Sequence, residues 1–128
     1  MPAASPTPPK RVLIVDRSKD SRDVMKTVLE RHGLEILEAT ELSAAVTAIQ
    51  KFHPRVVVMD TESIDEPPSR LRQTLDHELA DAHAQLVVLG NVAYRNRNQS
   101  HFVRKPYHYG PLIRTIEQLA DQSPLPSP

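Results

Sequence analysis

Three observations predict an α/β fold of the doubly wound type, a five-stranded parallel sheet between two layers of helices. Short apolar runs rich in Val, Leu and Ile alternate along the chain with segments of helical period. Hydrophobic residues make up 39% of the sequence but aromatics only 4%, so the interior must be aliphatic, which favours such a core over an aromatic-rich sandwich. The run Arg55 to Met59 (RVVVM) is apolar without alternation, as a strand covered on both faces requires.

The length of 128 residues implies one domain. Seven of the twelve prolines fall in the first nine or last five residues, so residues 1–9 and 121–128 read as disordered proline-rich tails and residues 10–120 as the folding unit.

Within that unit, Arg11 to Val15 (RVLIV) reads as the first buried strand. Ser18 or Asp20 can cap a helix that turns Val24, Met25, Val28 and Leu29 to one side and stops at Gly33. Leu34 to Ala39 (LEILEA) alternates like a half-exposed edge strand. Thr40 is the expected cap of a second helix with Leu42, Ala45, Val46 and Ile49 inward, ended by His53-Pro54. Arg55 to Met59 follows as the central strand and runs into Asp60. Pro67 suits the first turn of a third helix carrying Leu71, Leu75 and Leu79. Gln85 to Leu89 (QLVVL) is the fourth strand, His101 to Arg104 the fifth, and Pro111 opens a closing helix with Leu112, Ile113, Ile116 and Leu119 inside. Between the last two strands only Asn91 to Ser100 is available, short for a parallel crossover of roughly a dozen residues, so the fourth helix is expected to be shortened or missing.

Composition removes several functions. Sixteen Lys and Arg balance sixteen Asp and Glu, which speaks against a general polyanion binder. The basic stretch holding Arg95, Arg97, Arg104, Lys105 and Arg114 is read as a solvated face rather than a nucleic-acid surface. The absence of cysteine removes a disulfide scaffold and a thiolate zinc site. The six histidines show no zinc spacing, and His77 and His83 are read as surface residues. Gly33, Gly90 and Gly110 stand too far apart for a phosphate-cradling loop, which weakens nucleotide- and flavin-binding enzymes. Met1 to Pro9 has neither a basic patch nor an apolar stretch, and no apolar run approaches the roughly 18 residues of a membrane span. A cytoplasmic protein without membrane attachment is the expectation.

In a doubly wound sheet, ligands gather at the carboxyl ends of the strands beside the point where strand order reverses. Those ends carry Asp16, Asp60, Gly90 and Lys105-Pro106. In the flavodoxin-like order 2-1-3-4-5 the first and third strands are neighbours, so Asp16 and Asp60 should approach each other, with Lys105 reaching them from the far side.

On the stretches RVLIVD, VVVMD and FVRKP, each ending at a strand terminus, the sequence resembles the receiver domain of bacterial response regulators, the CheY-like module of two-component signalling, over nearly the whole folding unit. The resemblance implies that Asp60 stands at the phosphoacceptor position, where a histidine kinase delivers a phosphoryl group with help from Mg²⁺. It implies that Asp16 is the first of an acidic pair at the metal, Lys105 the phosphate-contacting lysine, Phe102 the aromatic switch, and Lys105-Pro106 a cis bond.

Two positions depart from that pattern. Arg17 replaces the second acidic residue, a direct metal ligand, and Gly90 replaces the Thr or Ser whose hydroxyl bonds the phosphoryl group. Magnesium takes octahedral oxygen ligands, so Asp16 and Asp60 alone make an incomplete site, with Mg²⁺ at most weakly bound. The expectation is a degenerate receiver, a pseudo-receiver rather than an enzyme, acting through a protein partner that is either a histidine kinase or an effector. The alternative is a stand-alone receiver fully phosphorylatable on Asp60.

Overall fold

The computed structural model describes residues 9–61, 68–90 and 100–122. Five parallel strands, β1 (Arg11–Val15), β2 (Glu35–Ala39), β3 (Val56–Asp60), β4 (Gln85–Gly90) and β5 (Ser100–Arg104), pair in the order β2-β1-β3-β4-β5. The helices among the described residues are α1 (Lys19–Arg31), α2 (Leu42–Phe52), α3 (Pro68–Ala82) and α4 (Tyr109–Asp121). This is the flavodoxin-like sheet expected from the sequence. Its connections explain the layering: α1 carries the chain outward from β1 to β2, while α2 carries it back across β1 to β3. Two right-handed crossovers running in opposite directions must lie on opposite faces.

Strand alternation then separates two cores. Val12, Ile14, Val56, Val58, Val87 and Leu89 meet Met25 and Leu29 of α1 and Leu112, Ile113, Ile116 and Leu119 of α4. On the other face Leu13, Val15, Val57, Met59, Leu86 and Val88 meet Leu42, Ala45 and Ile49 of α2 and Leu79 of α3. Every residue of β3 is buried, because β3 has strands on both sides and helices above and below. Each fully buried aliphatic side chain of this kind contributes about 1.5–3 kcal/mol.

Local chemistry sets the element ends. Ser18 caps α1, its hydroxyl accepting from Ser21 N at 3.3 Å, and Gly33 follows the helix at φ 82°, where a side chain would be strained. At the amino end of the sheet, Arg11 Nη1 donates to Phe52 O at the close of α2 (3.1 Å), and Arg55 Nη1 to Ala120 O near the close of α4 (2.8 Å). Each guanidinium satisfies a carbonyl that the ending helix leaves open.

Several expectations are corrected. The cap of α2 is Glu41, without a side-chain capping bond, rather than Thr40. Val24 is 45% exposed instead of facing the core, since Met25 and Leu29 already fill the strip of α1 that touches the sheet. Leu34 is buried yet precedes β2. β4 runs on through Gly90, and α4 starts two residues before Pro111. His77 and His83 are exposed as expected. Pro67, residues 91–99 with Arg95 and Arg97, and most of the two proline-rich ends lie outside the described residues, as do the side chains of Leu71 and Leu75. No helix among the described residues is long and apolar enough to cross a membrane.

Candidate functional site

The register of the sheet assembles the site. Val15 pairs with Met59 across β1 and β3, Asp60 with Leu89 across β3 and β4, and Gly90 with Arg104 across β4 and β5. Asp16, Asp60, Gly90 and Lys105 therefore end four adjacent strands at one edge of the molecule. Asp16 and Asp60 are 6% and 8% exposed, the two buried acids among the described residues.

Lys105 Nζ donates to Asp60 Oδ2 at 2.6 Å, with the two side chains 27% and 11% exposed. Backbone bonds fix both partners: Lys105 N donates to Gly90 O at 2.9 Å, and Thr61 N to Leu89 O at 3.0 Å just past Asp60. The Lys105-Pro106 bond is cis. A buried carboxylate with one ammonium against it, at the mouth of a parallel sheet, is a short charge-assisted contact beside which an anionic group can be neutralised.

The opposite side of the site is built differently. Asp16 turns its carboxylate into its own loop, Oδ1 accepting from Ser18 N at 2.8 Å. Arg22 reaches back from α1 and donates through Nη1 to the carbonyls of Asp16 (2.7 Å) and Arg17 (3.1 Å). Its Nε meets Glu38 of β2 at 3.1 Å, and Lys26 stands 3.5 Å from the other oxygen of Glu38. Arg17 itself is exposed.

Asp60 Oδ2 accepts from the Lys105 ammonium, Asp16 Oδ1 from a backbone amide, and the carbonyls of Asp16 and Arg17 from the Arg22 guanidinium, while the cation Arg17 stands in sequence between Asp16 and α1. Among the described residues no group of three or more His, Asp or Glu is arranged to hold a metal.

Phe102 is half-buried against the α2/α3 core, away from the α1/α4 face. Just beyond Lys105, Tyr107 packs on the α1/α4 core and meets Tyr109 edge to face. Burial foremost, then the charge of and a side-chain hydrogen bond to Tyr109, and then the charge of Asp60 push the Tyr107 phenol up to about 12, while Lys105 opposes the rise.

The expected pairing of Asp60 with Lys105 is thus present. Arg22, Tyr107 and Tyr109 were not singled out from the sequence. A guanidinium that reaches back across a turn follows no period, although RKPYHY did place two phenols beside the lysine.

No family model matches the chain, and no curated protein matches it. Solved structures do. The chain is similar to a response regulator receiver modulated diguanylate cyclase from Pelobacter carbinolicus (24% identity, 86% of this chain and 91% of that one, TM-score 0.69). It is also similar to a signal receiver domain from Bermanella marisrubri (16%, 88% and 99%, TM-score 0.74) and to the receiver domain of NtrX from Brucella abortus (23%, 88% and 99%, TM-score 0.72). The fold is that of response regulator receiver domains.

Proposed function

We propose that this chain is a receiver-like domain of two-component, phosphorelay signal transduction in which Asp60 occupies the phosphoacceptor position, the Mg²⁺ site is incomplete, and output is made by protein–protein contact. The observation that carries this proposal is Lys105 Nζ on Asp60 Oδ2 at 2.6 Å, at the strand ends of a sheet with receiver topology. Support for incompleteness comes from Arg17 at the position of the second acid, Gly90 at that of the hydroxyl, and the Arg22 clamp on the carbonyls of Asp16 and Arg17. Asp16 is the remaining acid of the metal pair, and Phe102 holds the place of the aromatic switch. Such a domain is a signalling module rather than an enzyme, and its partner is a histidine kinase or an effector protein, read in the cytoplasm.

The intact Asp60–Lys105 pair favours a second reading, a receiver still phosphorylated on Asp60 by a histidine kinase. The carboxylate would attack phosphorus as the phosphohistidine P–N bond breaks, with Lys105 offsetting the charge gathered on oxygen. Calorimetry with Mg²⁺ and beryllofluoride separates the two. Weak or no binding, together with partner binding that survives Asp60→Asn, is the expected result. Tight stoichiometric Mg²⁺ binding, or a partner that binds only after acyl-phosphate treatment and never to Asp60→Asn, overturns the pseudo-receiver.

A further inference from the structure

The helix that follows the site begins without the usual fastenings. His108, the cap of α4, makes no side-chain capping bond, and the first turn has no acidic residue to meet the helix dipole. The first intrahelical bond, Leu112 N to His108 O, is long at 3.4 Å. Two tyrosines flank this weak start. Their rings meet edge to face, with centroids 5.6 Å apart at 84°, the arrangement that aromatic quadrupoles prefer.

The two rings have different surroundings. Tyr107 packs on the aliphatic core under α1 and α4, whereas Tyr109, the first residue of the helix, is 39% exposed. Tyr107 stands two residues beyond Lys105, whose ammonium is held by Asp60. The stretch from β5 to α4 is thus fixed at one end by charge and at the other by ring contact. Both Asp60 and Lys105 act electrostatically on the Tyr107 phenol, in opposite senses.

We infer that the Tyr107–Tyr109 pair couples the charge at Asp60 and Lys105 to the order of the first turn of α4, on the sheet face opposite Phe102. While the ion pair stands, Lys105 holds the stretch leading into Tyr107, Tyr109 keeps its edge-to-face contact, and the uncapped turn remains closed. Neutralising Asp60 releases the ammonium, the ring contact loses its fixed side, and the turn opens. Coupling of this kind operates in the metal-free, unmodified protein, so its test stands apart from the question of phosphorylation.

Amide hydrogen exchange by NMR on the full chain without metal reads the turn at Leu112 and Ile113. Asp60→Asn is expected to speed exchange there at least threefold and to leave Ala45 and Val46 of α2 unchanged. In a Tyr109→Ala background, where the turn already exchanges fast, Asp60→Asn adds nothing; with Tyr107→Phe, which keeps the ring, the response persists. Unchanged exchange in Asp60→Asn, or an equal acceleration with and without Tyr109, overturns the coupling. Should Tyr109→Ala fail to fold, near-ultraviolet circular dichroism serves, because the chain has three tyrosines and no tryptophan. A reduced tyrosine signal in Asp60→Asn supports the coupling, and an unaltered one refutes it.

Discussion

The two halves of the strand-end site have been treated differently by the sequence. On the β3/β5 side a carboxylate and an ammonium meet at 2.6 Å, held by strand-end backbone bonds. On the β1 side the acid is folded into its own turn, and Arg22 takes up the carbonyls of Asp16 and Arg17. Pairing of opposite charges and the placing of oxygen donors are therefore separate properties of one scaffold. Pairing an anion needs one ammonium at a strand end, whereas coordinating a cation needs several converging oxygens with open lone pairs, and Arg22 already donates to two carbonyls on the β1 side.

The largest expected effect breaks the β5 half. Lys105→Met leaves Asp60 buried without its ammonium and should cost about 3 kcal/mol in urea unfolding, the low end for a broken buried pair because Lys105 is 27% exposed. Adding Asp60→Asn should return much of that loss, because the uncompensated charge goes with it. Equal losses in the single and double variants would place the stabilisation in packing rather than charge.

Breaking the other half should cost less. Arg22→Ala removes charge-assisted bonds to two carbonyls at a partly solvated turn, about 1.5 kcal/mol by the same measurement. A loss larger than that of Lys105→Met would reverse the ranking of the two halves.

A third variant converts one half toward cation binding. Arg17→Asp should lower the melting temperature of the metal-free protein by crowding carboxylates, and Mg²⁺ at ten times Kd should then add about 1.4 kcal/mol of stability by mass action. Wild type should barely respond. A mutant that melts alike with and without Mg²⁺ would show that Arg17 does not decide cation binding.

The smallest effect is alkaline. The Tyr107 phenol is raised to about 12 from 10.0, so the folded state holds this proton more tightly than the unfolded chain does. Its contribution to stability is complete below about pH 10 and is lost as pH rises through about 12. Tyr107→Phe should therefore lose less stability across that window than wild type, as followed by circular dichroism. Identical alkaline profiles would show that burial does not tighten the hold on the Tyr107 proton.

What the sequence determined by itself is what local pattern can carry. RVLIV, RVVVM and QLVVL are apolar runs of strand length, and period alone placed Met25 and Leu29, and then Leu112, Ile113 and Ile116, on inward faces. The strand order β2-β1-β3-β4-β5 is the flavodoxin-like one expected for alternating strands and helices, and it brings Asp60 and Lys105 to one edge although 45 residues separate them. Tertiary structure decided everything that depends on where a long side chain ends. Val24 fits the helical period yet is exposed, because the sheet contacts a narrower strip of α1 than the period allows. Arg22, Glu38 and Lys26 come together across the edge strand, and the Tyr107 and Tyr109 rings meet around an uncapped helix start. Such contacts are set by rotamers and by neighbours distant in the chain, and neither leaves a period in the sequence.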